Sequence, residues 1–440
     1  MTNRWDAVPA VGIDFGTTNS SVALVRTDAQ VELVRFPARD GETLSSRSVL
    51  YLEKIKDASG VRRTHSWTGP SAIEHYLDAE EKGRLIQSLK SYLPSRTLTG
   101  TGIFGRRYAY EELVARILSD LREQAERQFG QPIRHAMVGR PVRFVGAETE
   151  EDDAYAEQRL RAAFMQAGFE SIELELEPVA AAYSYQAMLD HEELILIGDF
   201  GGGTSDFSLL RVGPGVRRQV GSPREVLGNS GVRLAGDSFD ARIVRKLVSP
   251  ALGSDSYARS MNKILPAVPA WIYANLERWH YLSFLRTHEV TEILRSARLR
   301  ALEPEKIKAL SALIEEDLGY QLHRAVQKVK FELSHAENAE FSFRDGSMEL
   351  NIPVTRTEFE GWIAKELRAI ESSVDSLLDT AGVSAGDIDR VFLTGGSSFV
   401  PAVRRIFVKR FGEERIRSGN EFTSVAHGLA LRAQESLRAR

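Results

Sequence analysis

"IGDFGGGTSDF", Ile197 to Phe207, ends an apolar run with an aspartate and follows it with an aromatic residue, three glycines and a threonine. Near the start of the chain, "VGIDFGTTNS" (Val11 to Ser20) has the same order: an apolar run, then Asp14, Phe15, Gly16 and Thr17. The two aspartates lie 185 residues apart. Apolar stretches on both sides of each glycine turn predict strand, turn, strand, so the chain is expected to build one unit twice. Glycine lets consecutive backbone N–H groups converge on an anion, and Thr17, Thr18 and Thr204 add hydroxyl donors. An aspartate beside such a nest repels phosphate unless a cation stands between them. Asp14 and Asp199 therefore make sense together as holders of a divalent ion, mainly through its waters, as Mg2+ prefers.

The flanking sequence supports a duplicated sheet-and-helix core. "YEELVARILSDLREQAERQF" sets Leu113, Ile117, Leu118 and Leu121 on one helical face. "RHAMVGRPV" reads as a strand, and the acidic "AETEEDDAYAEQRLRAAFMQAG" opens a helix that Gly168 can close. "IELELEPVAAAYSYQAML" passes from strand to helix through Glu177-Pro178, and "RVFLTGGSSFVPAVRRIFVKRF" from strand through Gly395-Gly396 to helix. Residues from about 40 to 130 read as mixed loop and helix with no dominant period. Residues 237 to about 333 read as mainly helical, with Trp271 and Trp279 as core residues. The expected organisation is lobe I over 1–193, with an inserted subdomain at about 40–130, and lobe II over 194–440. Lobe II carries a helical insertion at about 237–350, and the two lobes face each other across a cleft.

Composition narrows the function classes. Hydrophobic residues at 42% and charged residues at 27% suit a soluble globular protein. The balance of 57 Lys and Arg against 61 Asp and Glu, net −4, argues against nucleic acid as the main partner. Cysteine is absent, so disulfides and thiolate metal sites are excluded. The start has no secretory pattern and no apolar run spans a membrane, so a cytoplasmic protein without a membrane partner is expected. The P-loop pattern, G-x-S-x-G and H-E-x-x-H do not occur.

"IDFGTTNS", "GDFGGGTSDFS", "EPVAAAY", "GDSFD", "LTGGSSFVP" and "SVAHGLALRA" together resemble, in order, the ATPase domain of the 70-kDa heat-shock (DnaK-like) chaperones. The resemblance spans about residues 10 to 435; the expected lack of a following domain resembles the bacterial YegD-like subgroup, within the wider superfamily of actin, bacterial filament proteins and sugar kinases. It implies a two-lobed actin-like ATPase fold with ATP or ADP and Mg2+ in the cleft, and K+ as a further ion. By the same resemblance, Asp14 and Asp199 hold the metal. Gly16, Thr17, Thr18, Asn19 and the Gly201-Gly202-Gly203 turn bind phosphates, and Thr204 lies near the γ-phosphate. Glu177 orders the attacking water, Asp206 is a second acid nearby, and Lys90 is the catalytic lysine. Pro141 matches a proline associated with switching. Gly236, Gln327, Lys330, Phe331, Ser334, Gly395, Gly396 and Ser397 fall where the family grips adenosine. Positions 327, 330, 331 and 334 share a helical face, but the family's usual glutamate and stacking arginine are replaced by Gln327 and Phe331. Phe331 can still stack on a base.

The family continues into an apolar linker and a peptide-holding β-sandwich. Here 42 residues follow Ser398 and read as closing helices, so the expectation is an ATPase without its own peptide-binding domain, acting on a separate protein partner or client. A nucleotide sensor with negligible turnover, an actin-like filament former and a sugar kinase are the competing expectations.

Overall fold

The computed structural model describes the chain except residues 1–9, 27–29, 39–40, 57–59, 80–82, 187–188, 215–225, 261–262, 278–284, 419–423 and 439–440. Both copies of the repeat form antiparallel hairpins. Ala10–Phe15 pairs with Asn19–Val25, placing Asp14 opposite Ser21. Glu193–Phe200 pairs with Ser205–Val212, placing Asp199 opposite Asp206.

The first strand of each hairpin takes a parallel partner on its other side, His135–Arg140 in one sheet and Arg390–Thr394 in the other. A second parallel strand lies beyond it, Ser171–Leu176 or Ile416–Ser418. On the hairpin side each sheet continues antiparallel, through Val31–Leu33 or Val226–Val232. The two sheets thus share one plan. Parallel neighbours require a crossover, supplied by the helices Glu150–Gln166 and Pro401–Phe411. The result is the expected mixed α/β fold with a duplicated sheet-and-helix core.

Contacts divide the chain into two compact units, 1–233 with 370–398 and 406–440, and 234–369 with 399–405. Both large sheets belong to the first. Val11, Ile13 and Phe15 pack there with Leu113, Ile117 and Leu121 of helix Tyr110–Phe129 and with Leu160 and Phe164 of helix Glu150–Gln166. Thr149 and Asp152 form a capping box at the start of the latter helix, and Gly168, at φ 91°, follows its end. Helix Ser424–Arg438 lies so close to its neighbours that only glycine fits at two points. A Cβ on Gly428 would stand 1.6 Å from the Ala180 carbonyl oxygen, and one on Gly12 would stand 2.2 Å from the Ala430 nitrogen. The second unit holds helices Gly236–Ile243, His288–Arg300, Pro304–Glu315 and Gly319–His335, and the hairpins Tyr257–Pro266 and Asn338–Thr355.

Two expectations need correction. Within 40–130, Val49–Lys56, Arg62–Thr68 and Arg84–Gln87 form a three-stranded sheet. Arg62, Arg63 and Thr64 are exposed in succession and the end of Val49–Lys56 is exposed too, so no apolar alternation runs the length of either strand. Trp271 is 45% exposed, because helix Ala270–Leu276 buries Ile272, Tyr273 and Leu276 instead. Trp279 lies outside the described residues.

Candidate functional site

Each glycine turn follows a largely buried strand whose next-to-last residue is the aspartate. In the first turn, the Gly16 carbonyl accepts from the Ser48 hydroxyl at 2.7 Å and the Thr18 carbonyl from the Ser48 N–H at 2.9 Å. These bonds tie Gly16 to Asn19 to the segment that follows Ser46–Arg47. In the second, the Gly201 N–H donates to the Thr204 carbonyl at 2.9 Å, closing the turn, and Gly203 fits against Val145, whose Cγ2 would lie 2.8 Å from an added Cβ.

Between the turns sits a group of charges. Lys90, in the short helical turn Leu89–Tyr92, donates from Nζ to Glu177 Oε1 at 2.8 Å. Glu177 opens helix Glu177–Gln186 at the end of strand Ser171–Leu176. Gly139 of the adjacent strand leaves room for it, since a Cβ there would come 3.1 Å from Glu177 Cγ. Burial holds the Asp14 carboxyl well above the ordinary aspartate range, reinforced by the charges of Glu177 and Asp199 and opposed by Lys90. Burial likewise raises Asp199 to about 6, with Glu177 adding to the rise and the hydrogen bond from Thr394 pulling against it. Asp206 is also pushed well above its usual value, first by burial, while the Thr204 hydroxyl bonds its carboxyl and lowers it. The other oxygen, Asp206 Oδ1, is buried without a hydrogen-bond partner.

The carboxyls of Asp14, Asp199 and Asp206 thus each feel the negative charge of Glu177, which raises them, and the positive charge of Lys90, which lowers them. Desolvated like charges must take up protons or a counter-ion. Among the described residues, no three His, Asp or Glu side chains are grouped to ligate an ion directly. The donor set fits a divalent cation held by two carboxylates and water, the mode Mg2+ favours.

Residues 85–262 and 308–435 match the family model described as Hsp70 protein. The chain belongs to the Hsp70 family. Its duplicated α/β core is the actin-like ATPase fold of Hsp70 proteins. It is 27% identical to the chaperone protein DnaK of Thermosipho africanus (strain TCF52B), over 98% of this chain and 60% of that protein. The chaperone protein DnaK of Thermosipho melanesiensis is also 27% identical, with 96% and 58% covered, and that of Thermotoga maritima 27%, with 96% and 59% covered. The Hsp70-family chain therefore spans about three fifths of the length of these curated relatives.

Other expected site residues of this Hsp70 chain fall into separate groups. Gly395, at φ 81°, fits against Phe200, whose carbonyl oxygen would be 2.1 Å from an added Cβ. Gly396 and Ser397 continue that turn beside Asp199 and Thr394, which are paired in register. In the second unit, Lys330 Nζ lies 2.6 Å from Asp240 Oδ1 and donates to the Gly236 carbonyl at 3.3 Å. Ser334 Oγ donates to the Lys330 carbonyl at 3.0 Å, Phe331 is exposed with its ring 4.4 Å from that of His335, and Gln327 is half-buried on the same helix.

Two residues escaped the sequence reading. Thr394 Oγ1 donates to Asp199 Oδ1 at 2.7 Å. A strand-ending threonine just before Gly395-Gly396 was a usable signal. Ser48 carried none, since "SSRSV" lies in a stretch without periodicity.

Proposed function

We propose that this chain binds ATP with Mg2+ and hydrolyses it to ADP and phosphate, as a chaperone-type ATPase that signals to a partner protein. The observation that carries the proposal is the group of buried Lys90, Glu177 and Asp206 with half-buried Asp14 and Asp199 beside two glycine turns. Such a group is costly to fold and is of use where phosphate charge and a cation must be neutralised together.

In this reading Asp14 and Asp199 hold Mg2+ through water, and the ion supplies charge neutralisation at the phosphates. Gly16, Thr17, Thr18, Asn19 and Gly201 to Gly203 present N–H and hydroxyl donors to phosphate oxygens. Lys90 adds the positive charge that developing negative charge on the γ-phosphate requires. Glu177 orients the water, Thr204 lies beside it, and Asp206 fixes the Thr204 hydroxyl by the hydrogen bond they share. By the family resemblance, Gly236, Gln327, Lys330, Phe331, Ser334, Gly395, Gly396 and Ser397 are the residues that bind the adenosine. Lobe I (1–193) and lobe II (194–440) close on the nucleotide and reopen after hydrolysis, with Pro141 in the switch, to regulate a client or partner in the cytoplasm. No helix among the described residues is long and apolar enough to cross a membrane.

A second reading is a nucleotide sensor with negligible turnover. The changed adenosine residues motivate it, Gln327 and Phe331 standing where the family's usual glutamate and stacking arginine fall. Calorimetry with ATP, with and without Mg2+, paired with phosphate release, separates the two. The ATPase reading expects Mg2+-dependent binding followed by phosphate release. Tight binding with no phosphate favours the sensor, and no binding refutes both.

A further inference from the structure

The two segments that match the Hsp70 family leave residues 263–307 between them. This stretch supplies one strand of the Tyr257–Pro266 hairpin and the helix His288–Arg300. In the hairpin, Tyr257 pairs with Pro266 and Arg259 with Ile264. Directly opposed residues point to the same side of a sheet, so these four share one face. The chain leaving the helix runs along the other edge, with Ala301 bridged to Ala258 and the Leu302 N–H donating to the Tyr257 carbonyl at 2.7 Å.

The apolar side chains gathered there are uncovered. Tyr257 is 50% exposed, Ile264 65%, Leu302 49% and Leu299 83%. The core does not need Leu299: the helix buries Val290, Leu294 and Ala297 on its inner face, and Leu299 falls off that face. One exposed leucine is ordinary, but several on one small hairpin and helix end form a patch of the kind that marks a contact site.

Charge identifies what the patch fits. Arg259, Arg298 and Arg300 are exposed, and among the described residues no carboxylate forms an ion pair with them. Acids near the arginines are engaged elsewhere, Asp255 and Glu303 with Lys306, Glu305 with Lys308, and Glu292 with Arg295, while Glu289 sits at the opposite end of the helix. A chain of net charge −4 thus presents a locally positive, apolar surface.

We propose that the paired strands Tyr257–Ser260 and Lys263–Pro266 and the end of helix His288–Arg300 form a docking surface for a partner protein segment carrying carboxylates among large apolar side chains. The apolar residues would be the anchors, and the arginines would set orientation and steer the approach. Nucleic acid would satisfy the arginines but leave Ile264, Leu299 and Leu302 against phosphate and water. The surface shares no residue with the proposed nucleotide site, and peptide binding is read without ATP, so the inference stands or falls independently of ATP hydrolysis.

The test is selection of phage-displayed random dodecapeptides on the full chain, with counter-selection on the double variant Ile264→Glu/Leu299→Glu. Selected peptides are then synthesised with a fluorescein label and measured by anisotropy. Both positions are exposed, so the melting profile should match that of the unaltered chain. The expected peptides are rich in Asp and Glu around apolar anchors. Their affinity should fall about tenfold or more in the double variant and in Arg298→Glu, and weaken with added salt. The proposal is overturned if no peptide is enriched, if the peptides are neutral or basic, or if the variants bind them equally well. It is also overturned if a 20-nucleotide single-stranded DNA or vesicles containing phosphatidylserine bind this face more tightly than any selected peptide.

Discussion

Lys90→Met isolates the buried ion pair on which the site is built. The Lys90 and Glu177 side chains are 6% and 11% exposed and lie 2.8 Å apart. Removing the lysine strands the Glu177 charge beside Asp14 and Asp199, and breaking a buried pair in this way costs about 3–5 kcal/mol. Replacing both partners, as Lys90→Met with Glu177→Gln, leaves no stranded charge at that pair. The double variant should return to within about 1–2 kcal/mol of the unaltered protein, well short of the sum of the two single losses. Urea unfolding followed by circular dichroism on the four proteins measures this. Hydrolysis separates from stability: single-turnover ATP cleavage should fall about 10²–10³-fold in both Lys90→Met proteins, because the positive charge is absent from each. Additive stability losses, or a neutral Lys90→Met, would refute the buried pair. Full ATP cleavage by Lys90→Met would refute its role.

Asp206→Asn tests the charge burden. A carboxyl raised in the folded state binds more protons folded than unfolded, so its cost is absent below about pH 4 and grows as pH rises toward its folded titration. Asp206→Asn should therefore gain stability relative to the unaltered chain between pH 4 and pH 7 in paired urea titrations, and a pH-independent difference would contradict this. Gly428→Ala drives a Cβ into the Ala180 carbonyl, and thermal unfolding should register a loss of about 3 kcal/mol or more, overpacking against backbone being poorly relieved. Phe331→Ala leaves an exposed position and should not change melting, while ATP affinity measured by calorimetry should fall roughly fivefold or more if the ring stacks on the base.

The repeat was legible because strand and turn chemistry is local. Asp14, Phe15 and Gly16 state in sequence where a buried strand stops, and Asp199 to Gly203 repeat the statement, so both hairpins and the mixed α/β class could be read directly. Helices Tyr110–Phe129 and Glu150–Gln166 announced themselves through apolar spacing and an acidic first turn. The sheet of Val49–Lys56, Arg62–Thr68 and Arg84–Gln87 did not, since its outer strands open on arginines without apolar alternation and all three gain their order from pairing with one another. Trp271 misled because tryptophan is usually core, whereas its helix turns three neighbours inward and leaves it outside. Within the site, Lys90 and Glu177 could be nominated separately, but their 2.8 Å pairing joins residues 87 positions apart, a fact that belongs to the tertiary fold. The bond from Thr394 to Asp199 is of the same kind, fixed by parallel strand register across 195 positions.

Single-turnover hydrolysis of γ-labelled ATP by the purified chain and by Asp199→Asn tests the central claim most directly. The doubled turn predicts phosphate release from the unaltered chain in the presence of Mg2+ and a loss of about 100-fold or more in the variant, with labelled ATP still retained by the unaltered chain on a filter when Mg2+ is present. No phosphate from the unaltered chain, or equal release from both, would contradict it.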